Sequence, residues 1–393
     1  MTDEQLFLLR CLRGFALGED PGEFSGDWKA LLRLADIHTV TGILGYMVMQ
    51  YPHNTDGAIL QNLRSVCMRT IAMQTQRAQA MRGLIRQMND QGIDHLLMKG
   101  FVVKDYYPVP ELRTYGDIDF VIRLQDRKKC HELMLSLGFS PKTDWEPVYS
   151  YLKAPEYYEI HTELLEVDVS DKADYRAFFR QVWDWAEQID GHTYQMRPEY
   201  HFLYLLTHIA KHIRSAGAGL RMYLDLAMFV RHFGSELDWE LVQRELDGLA
   251  LSDFANTVLT LTEHCFGVKS PLPLRPMAPE LLEEFLEFTL AGGIYGYVGR
   301  DSGTLSMKKE ALKGETVSRG QTLRHRLFPS ASTIEARYTY LQGHHWLLPV
   351  AWVHRLVKTR SKMGDHMLQA RQILQADHEE VETLRRLNEQ IGL

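Results

Sequence analysis

Two carboxylates, Asp117 and Asp119, stand two residues apart at the head of the apolar run Phe120-Val121-Ile122, with Ile118 between them. That composition reads as a β-strand, in which residues i and i+2 point to the same face. The two Cα atoms are then roughly 6.5–7 Å apart. Like charges so close repel each other. A divalent cation removes the conflict, and a hard ion such as Mg²⁺ prefers carboxylate oxygens. The plain alternative is an edge strand with an acidic, solvated face, although Asp is depleted in strands.

The neighbours of the pair strengthen the first reading. Ile93 to Met98 is a strand-like run, and Lys99-Gly100 follows it before a short helical pattern. A glycine there lets backbone approach a phosphate, and a helix N-terminus favours the anion. Lys99 adds a charge at the same turn, and Arg113 offers a planar fork four residues before Asp117. Each is otherwise an ordinary solvated base. A third carboxylate comes from Tyr157-Tyr158-Glu159-Ile160-His161, where Glu159 sits among β-formers and His161 shares its face. Glu163 and Asp168 are nearby substitutes. The plain alternatives are a solvated strand face for Glu159 and a hydrogen-bonded core ring for His161.

Lys99-Gly100, Arg113-x-x-Gly116-Asp117-x-Asp119 and Glu159-x-His161 together resemble the uncharacterised nucleotidyltransferase family of the polymerase-beta-type superfamily. The later segment His208-x-x-x-His212, with Leu220-Arg221 and Asp225, is similar to that family's helical half. The resemblance implies an α+β fold: a small mixed β-sheet core flanked by helical N-terminal and C-terminal lobes. It implies that Asp117, Asp119 and Glu159 hold two Mg²⁺ ions, with Mn²⁺ as a substitute. His161 would orient Glu159 or shuttle a proton. Lys99, Gly100, Arg113, Gly116, His208 and Lys211 would contact the nucleotide. The co-substrate is then a nucleoside triphosphate, whose NMP moves to an acceptor hydroxyl with release of pyrophosphate. Loss of either aspartate should abolish turnover with little loss of folding. Better-known members carry Gly-Gly or Gly-Ser in the first turn; Lys99-Gly100 departs from them and agrees with the narrower family. That departure favours the alternative, a non-catalytic nucleotide- or protein-binding module on the same fold. A third reading, attack on the γ-phosphate, differs only in its products.

Composition narrows the partners. The chain has 393 residues and a formal net charge of −7, without the global basic footprint of a nucleic-acid binder. The acceptor is therefore expected to be a small molecule, peptide or protein. Cys11, Cys67, Cys130 and Cys265 are far apart and form no metal-binding spacing, which suits a reducing cytoplasm. The amphipathic N-terminus lacks the pattern of a signal peptide, and no run of about 18 apolar residues suggests a transmembrane helix.

Four regions follow along the chain. Residues 1–92 read as a helical lobe, ending in a long helix over 56–90 with the seam Ile59, Leu63, Val66, Met73, Met81, Leu84-Ile85, Met88. Residues 93–196 read as the α+β core. It has a helix over 125–137, strands at 148–152 and 157–160, a further strand at 165–169, a helix over 174–189 and a last strand at 192–196. Residues 197–270 read as a helical lobe, with helices over 199–214, 220–233, 238–249 and 252–266. In the first of these, His208 and His212 share a face; Ile209 after the first His excludes a zinc-protease motif. They are core rings or partners of Asp225 in the plain reading. Residues 271–393 read as a mostly helical region after a proline-rich crossover, with an irregular basic loop at 292–320. From 300 to 326, seven Lys/Arg (300, 308, 309, 313, 319, 324, 326) face three acids, so a mobile loop there could hold a triphosphate. The charged last segment, 363–390, suits packing on a second copy, a homodimer.

Overall fold

The computed structural model describes all residues except 146, 167–168, 235, 299–301, 313–317, 336–337, 342 and 359–362. The chain divides into two compact units: Met1–Ile213 with Gly217–Val298 and Ile391–Leu393, and Arg214–Ala216 with Gly299–Gln390. The proline-rich stretch after 270 lies in the first of these units.

Helices open the first unit: α1 (Asp3–Leu17), α2 (Trp28–Ile37), α3 (Thr41–Gln50) and the 34-residue α4 (Gly57–Asp90). Their starts are chemically marked. Thr2 forms a capping box with Gln5, Asp27 caps α2, and Asp56 accepts from the first N–H groups of α4. The buried stripe of α4 is Leu63, Cys67, Gln74, Ala78, Met81, Leu84 and Met88. Met73, expected in the seam, is 45 % exposed, and its neighbour Gln74 is buried instead.

The core follows as β1 (His95–Leu97), α5 (Gly100–Val103), β2 (Ile118–Ile122), α6 (Arg127–Ser136), β3 (Ser140–Trp145), β4 (Val148–Lys153), β5 (Glu156–His161), α7 (Tyr175–Phe179), β6 (Ala186–Asp190) and β7 (Thr193–Met196). The seven strands form one mixed sheet in the order β3-β4-β5-β2-β1-β7-β6. β2 pairs antiparallel with β1 and parallel with β5. This is the expected α+β class. Met81, Leu84 and Met88 of α4, with Cys130, Leu133 and Met134 of α6, pack on Phe120, Ile122, Tyr151 and Tyr158 of the sheet. All four cysteines are buried free thiols.

Local sequence misled in three places. Ser140–Trp145, to which no element was assigned, forms β3 at the sheet edge, where the missing N–H of Pro141 is tolerated. The expected helix over 174–189 is only α7, a 3₁₀ turn and then β6. Strand pairing of β6 with β7, and Trp185 stacked on Tyr200 at 4.1 Å, override helical propensity there. Within the expected strand at 165–169, Leu165, Glu166 and Val169 are not in a strand, and 167–168 lie outside the described residues.

The first unit closes with α8 (Pro198–Ser215), α9 (Leu220–Phe233), α10 (Trp239–Gly248), α11 (Ser252–Phe266) and α12 (Pro279–Gly292). The second unit holds α13 (Ser302–Ala311), α14 (Arg319–Leu327), α15 (Ala331–Ile334), α16 (Leu348–Lys358), α17 (Met363–Gln375) and α18 (His378–Gln390). The stretch 292–320, expected as irregular, therefore carries α13 and the start of α14; residues 299–301 and 313–317 lie outside the described ones. Gly303 explains the misreading. A Cβ there would meet the Gln372 backbone at 2.2 Å, so this glycine serves close helix packing rather than a loop. Lys308 is buried and Arg319 donates to the Ala376 carbonyl at 2.8 Å, so these bases pack within the unit. Among the described residues no helix is long and apolar enough to cross a membrane.

Buried histidines tie stability to pH. His38 shares its ring with the Leu290 carbonyl at 3.1 Å and the Leu220 N–H at 3.3 Å. Burial lowers both His38 and His201 to about 4. Their unfolded counterparts titrate near ~6.5, so between these values the unfolded chain binds more protons. Stability contributed by the neutral rings is complete above ~6.5 and declines as pH falls toward 4. The melting temperature should drop through that window; a flat profile would show that the rings are already charged in the fold.

Candidate active site

The parallel register of β2 and β5 sets Asp119 beside Glu159. His161 follows two residues later on β5. Side-chain ligand atoms of Asp119, Glu159 and His161 all lie within 4.8 Å of one another. They form one wall of a cavity of ≈ 240 Å³, which α8 and α9 close with His208, Lys211, His212, Arg221 and Asp225. Asp117 also lines it, but lies one residue before β2 and outside that tight cluster. The expected i, i+2 pair within a strand is therefore a strand residue and its approach.

Charge compensation here is local. Lys99 Nζ donates to Asp119 Oδ1 at 2.8 Å, and His161 Nε2 bonds the same oxygen at 2.9 Å. Burial opposes the Asp119 charge, yet Lys99 and His161 hold the carboxyl far below the usual carboxylate range. Burial likewise opposes the Lys99 charge, and Asp119 outweighs it, so Lys99 stays protonated. Lys99 adopts φ 51°, a left-handed backbone that a non-glycine residue holds only under constraint. Among the described residues Glu159 has no such ion pair. Burial, then the charges of Asp119 and Asp117, push it up to about 7.

Arg113 and Gly100 have roles the sequence did not disclose. Arg113 Nε and Nη2 grip Asp225 at 3.0 and 2.5 Å, and Tyr107 OH donates to the same carboxylate at 2.7 Å. The fork expected for phosphate thus joins the loop before β2 to α9. A Cβ on Gly100 would lie 1.9 Å from Arg113 Nη1. Gly100 is small because the guanidinium packs on it. The four-residue α5 turns its own N–H groups inward, with Val102 and Val103 bonding the Lys99 carbonyl.

The remaining expected residues separate. His208 and His212 share an Nε2···Nε2 contact of 3.2 Å, and burial keeps both neutral. Asp225 is therefore the partner of Arg113 rather than of these rings. Lys211 reaches Glu166 at 3.3 Å. Glu163 is taken by Arg176 at 3.1 Å, and Asp168 lies outside the described residues. Gly116 is exposed and is not part of this lining; it lines a neighbouring groove. Glu166, Tyr115 and Tyr295 line the cavity without having been foreseen. Only Glu166, an acid close to the Glu159 run, had any signal in the sequence.

The donor set suits a divalent cation. Two carboxylates and an imidazole converge, Asp119 Oδ2 takes part in neither bond described above, and the buried Nδ1 of His161 has no partner among the described residues. The model of a protein family described as "Uncharacterised nucleotidyltransferase" matches residues 25–267. No curated protein and no solved structure matches the chain.

Two substitutions test the architecture of the wall. Asp225→Ala strands the buried Arg113 charge and should lower stability by about 3–5 kcal/mol. Gly100→Ala should cost about 1–3 kcal/mol by overpacking against the same guanidinium. Urea midpoints report both; a wild-type midpoint for Gly100→Ala would mean that Arg113 moves aside freely.

Proposed function

Because the chain belongs to this uncharacterised nucleotidyltransferase family, we propose that it moves an NMP from a nucleoside triphosphate to an acceptor hydroxyl, releasing pyrophosphate. The observation that carries the reading is the convergence of Asp119, Glu159 and His161 on a cavity that also contains Asp117, Lys99 and Lys211. Asp119 and Glu159, with Asp117 beside them, would hold Mg²⁺, or Mn²⁺ in its place. Such a cation, when bound, stabilises charge on the phosphoryl oxygens and lowers the pKa of the attacking hydroxyl.

The chain's own residues do the rest. Lys99 and Lys211 offset the charge of a triphosphate in the cavity. Lys99 holds Asp119 at 2.8 Å, and its ammonium would be free to turn toward phosphate if that carboxylate bound a cation. His161 orients Asp119 through Nε2 and keeps its ring neutral through burial. The expectation of His161 aligning Glu159 gives way to alignment of Asp119. His208, neutral and buried, lends the cavity a polar wall without adding charge.

A second reading, a binding module without turnover, draws on one observation. Lys99 and Arg113, the two cations expected to meet phosphate, already hold Asp119 and Asp225. Nucleotide binding without pyrophosphate release would support it.

The test is Mg²⁺-dependent binding of ATP, CTP, GTP and UTP, followed by assay of pyrophosphate release. Glu159→Gln mimics the neutral carboxyl that burial favours, and Asp117 is only half-buried, so both Glu159→Gln and Asp117→Asn should fold normally. Each should lose about 100-fold or more of turnover. Asp119→Asn should also lose stability, contrary to the sequence expectation, because Lys99 then loses its counter-ion. Cation affinity should rise as pH climbs through about 7, because the ion displaces the Glu159 proton. Normal turnover by Glu159→Gln would falsify the assignment.

A further inference from the structure

A second cavity of ≈ 750 Å³ lies between α2, α3 and α4 and reaches Thr114, Tyr115 and Gly116. Tyr115 and Arg221 line both this groove and the acidic cavity. Gly116 is joined to Asp117 by one peptide, so their Cα atoms are about 3.8 Å apart. The groove therefore opens beside the carboxylates.

Its lining is basic although the chain is acidic. Lys29, Arg33, Arg69, Arg77 and Arg221 face it, against the single acid Asp36. Among the described residues none of the five forms a direct ion pair with a carboxylate. Arg221 is buried, its Nη1 donates to the Thr114 carbonyl at 2.6 Å, and its Nε has no partner. Burial and the neighbouring Arg113 disfavour its charge and outweigh the favourable pull of Asp225. An anion in the groove would add to that pull.

Unused hydrogen-bonding capacity collects in the same groove. Gln74 is 2 % exposed and sits in the buried stripe of α4, yet among the described residues both amide atoms lack a partner. Thr39 Oγ1, Thr41 Oγ1 and Tyr115 OH are likewise buried and unpartnered. A buried, unsatisfied polar group costs about 1–3 kcal/mol, so several lining one groove are unfavourable unless a ligand engages them. The volume falls within the range of small-molecule sites, roughly 300–1,000 Å³.

We propose that this groove binds the acceptor, a small phosphorylated molecule whose phosphate meets Arg33, Arg69 and Arg221 while Gln74 and the hydroxyls fix its polar body. The acceptor role rests on the transferase reading above; anion binding by the groove does not. In the transfer, the acceptor hydroxyl oxygen bonds to the α-phosphorus, the bond to the pyrophosphate oxygen breaks, and the hydroxyl proton passes to a basic group or solvent.

The test is calorimetric titration of the full-length protein with inorganic phosphate as the probe, and separately with Mg–ATP. Wild type should bind phosphate saturably. Arg33→Gln/Arg69→Gln, both at exposed positions, and Gln74→Leu should each weaken phosphate at least tenfold, whereas Lys211→Gln in the acidic cavity should leave it unchanged. Gln74→Leu should also raise the melting temperature without phosphate, since it removes an unsatisfied amide; a merely structural Gln74 would give the opposite. Absence of saturable phosphate binding, or its loss in Lys211→Gln but not in the arginine double variant, would overturn the groove. Phosphate binding without Mg–ATP binding would keep the anion site and sink the acceptor role together with the transferase reading.

Discussion

Two carboxylates side by side on parallel strands are the constraint that the rest of the structure accommodates. The register of β2 against β5 places Asp119 next to Glu159, away from most water, where mutual repulsion is strong. The fold relieves it unequally. Asp119 is ionised and held by Lys99 and His161. Glu159 has no cation of its own and retains its proton more readily. One charged and one largely protonated carboxyl relieves the repulsion without a metal ion.

That solution reaches outward through backbone and packing. Lys99 arrives at Asp119 because its left-handed backbone turns the chain sharply after β1. Gly100 then leaves room for Arg113, whose bidentate grip on Asp225 ties the sheet's loop to α9. Burying such a pair is costly unless its geometry is complete, and Tyr107 adds a bond that helps complete it. Residues that look like a set of phosphate ligands are thus divided between holding the cavity and lining it.

The groove beside the cavity carries the opposite imbalance. The acidic site has more carboxylates than cations at its centre, whereas the groove has five cations against one acid and several unused donors and acceptors. Under the transfer proposed above, neighbouring sites of opposite charge would suit two substrates, one brought through a divalent cation and one through its own anion. Tyr115 and Arg221 border both spaces, so a change in either would be felt in each.

The sequence by itself determined the α+β class, the helices with clear caps and apolar periods, and most of the residues that gather at the cavity. Those signals are local: Asp27 and Asp56 cap helices through neighbouring N–H groups, and β-branched and aromatic runs favour strands wherever they occur. Tertiary structure alone decided which side chains meet. Whether Glu159 faces Asp119 depends on strand register, and whether Arg113 is free depends on Asp225, 112 residues away. β3 and β6 were illegible because edge pairing, not composition, makes them strands. The expected seam took Met73 where the fold buries Gln74, since a shift of one residue around a helix is 100° and only packing fixes which side turns inward.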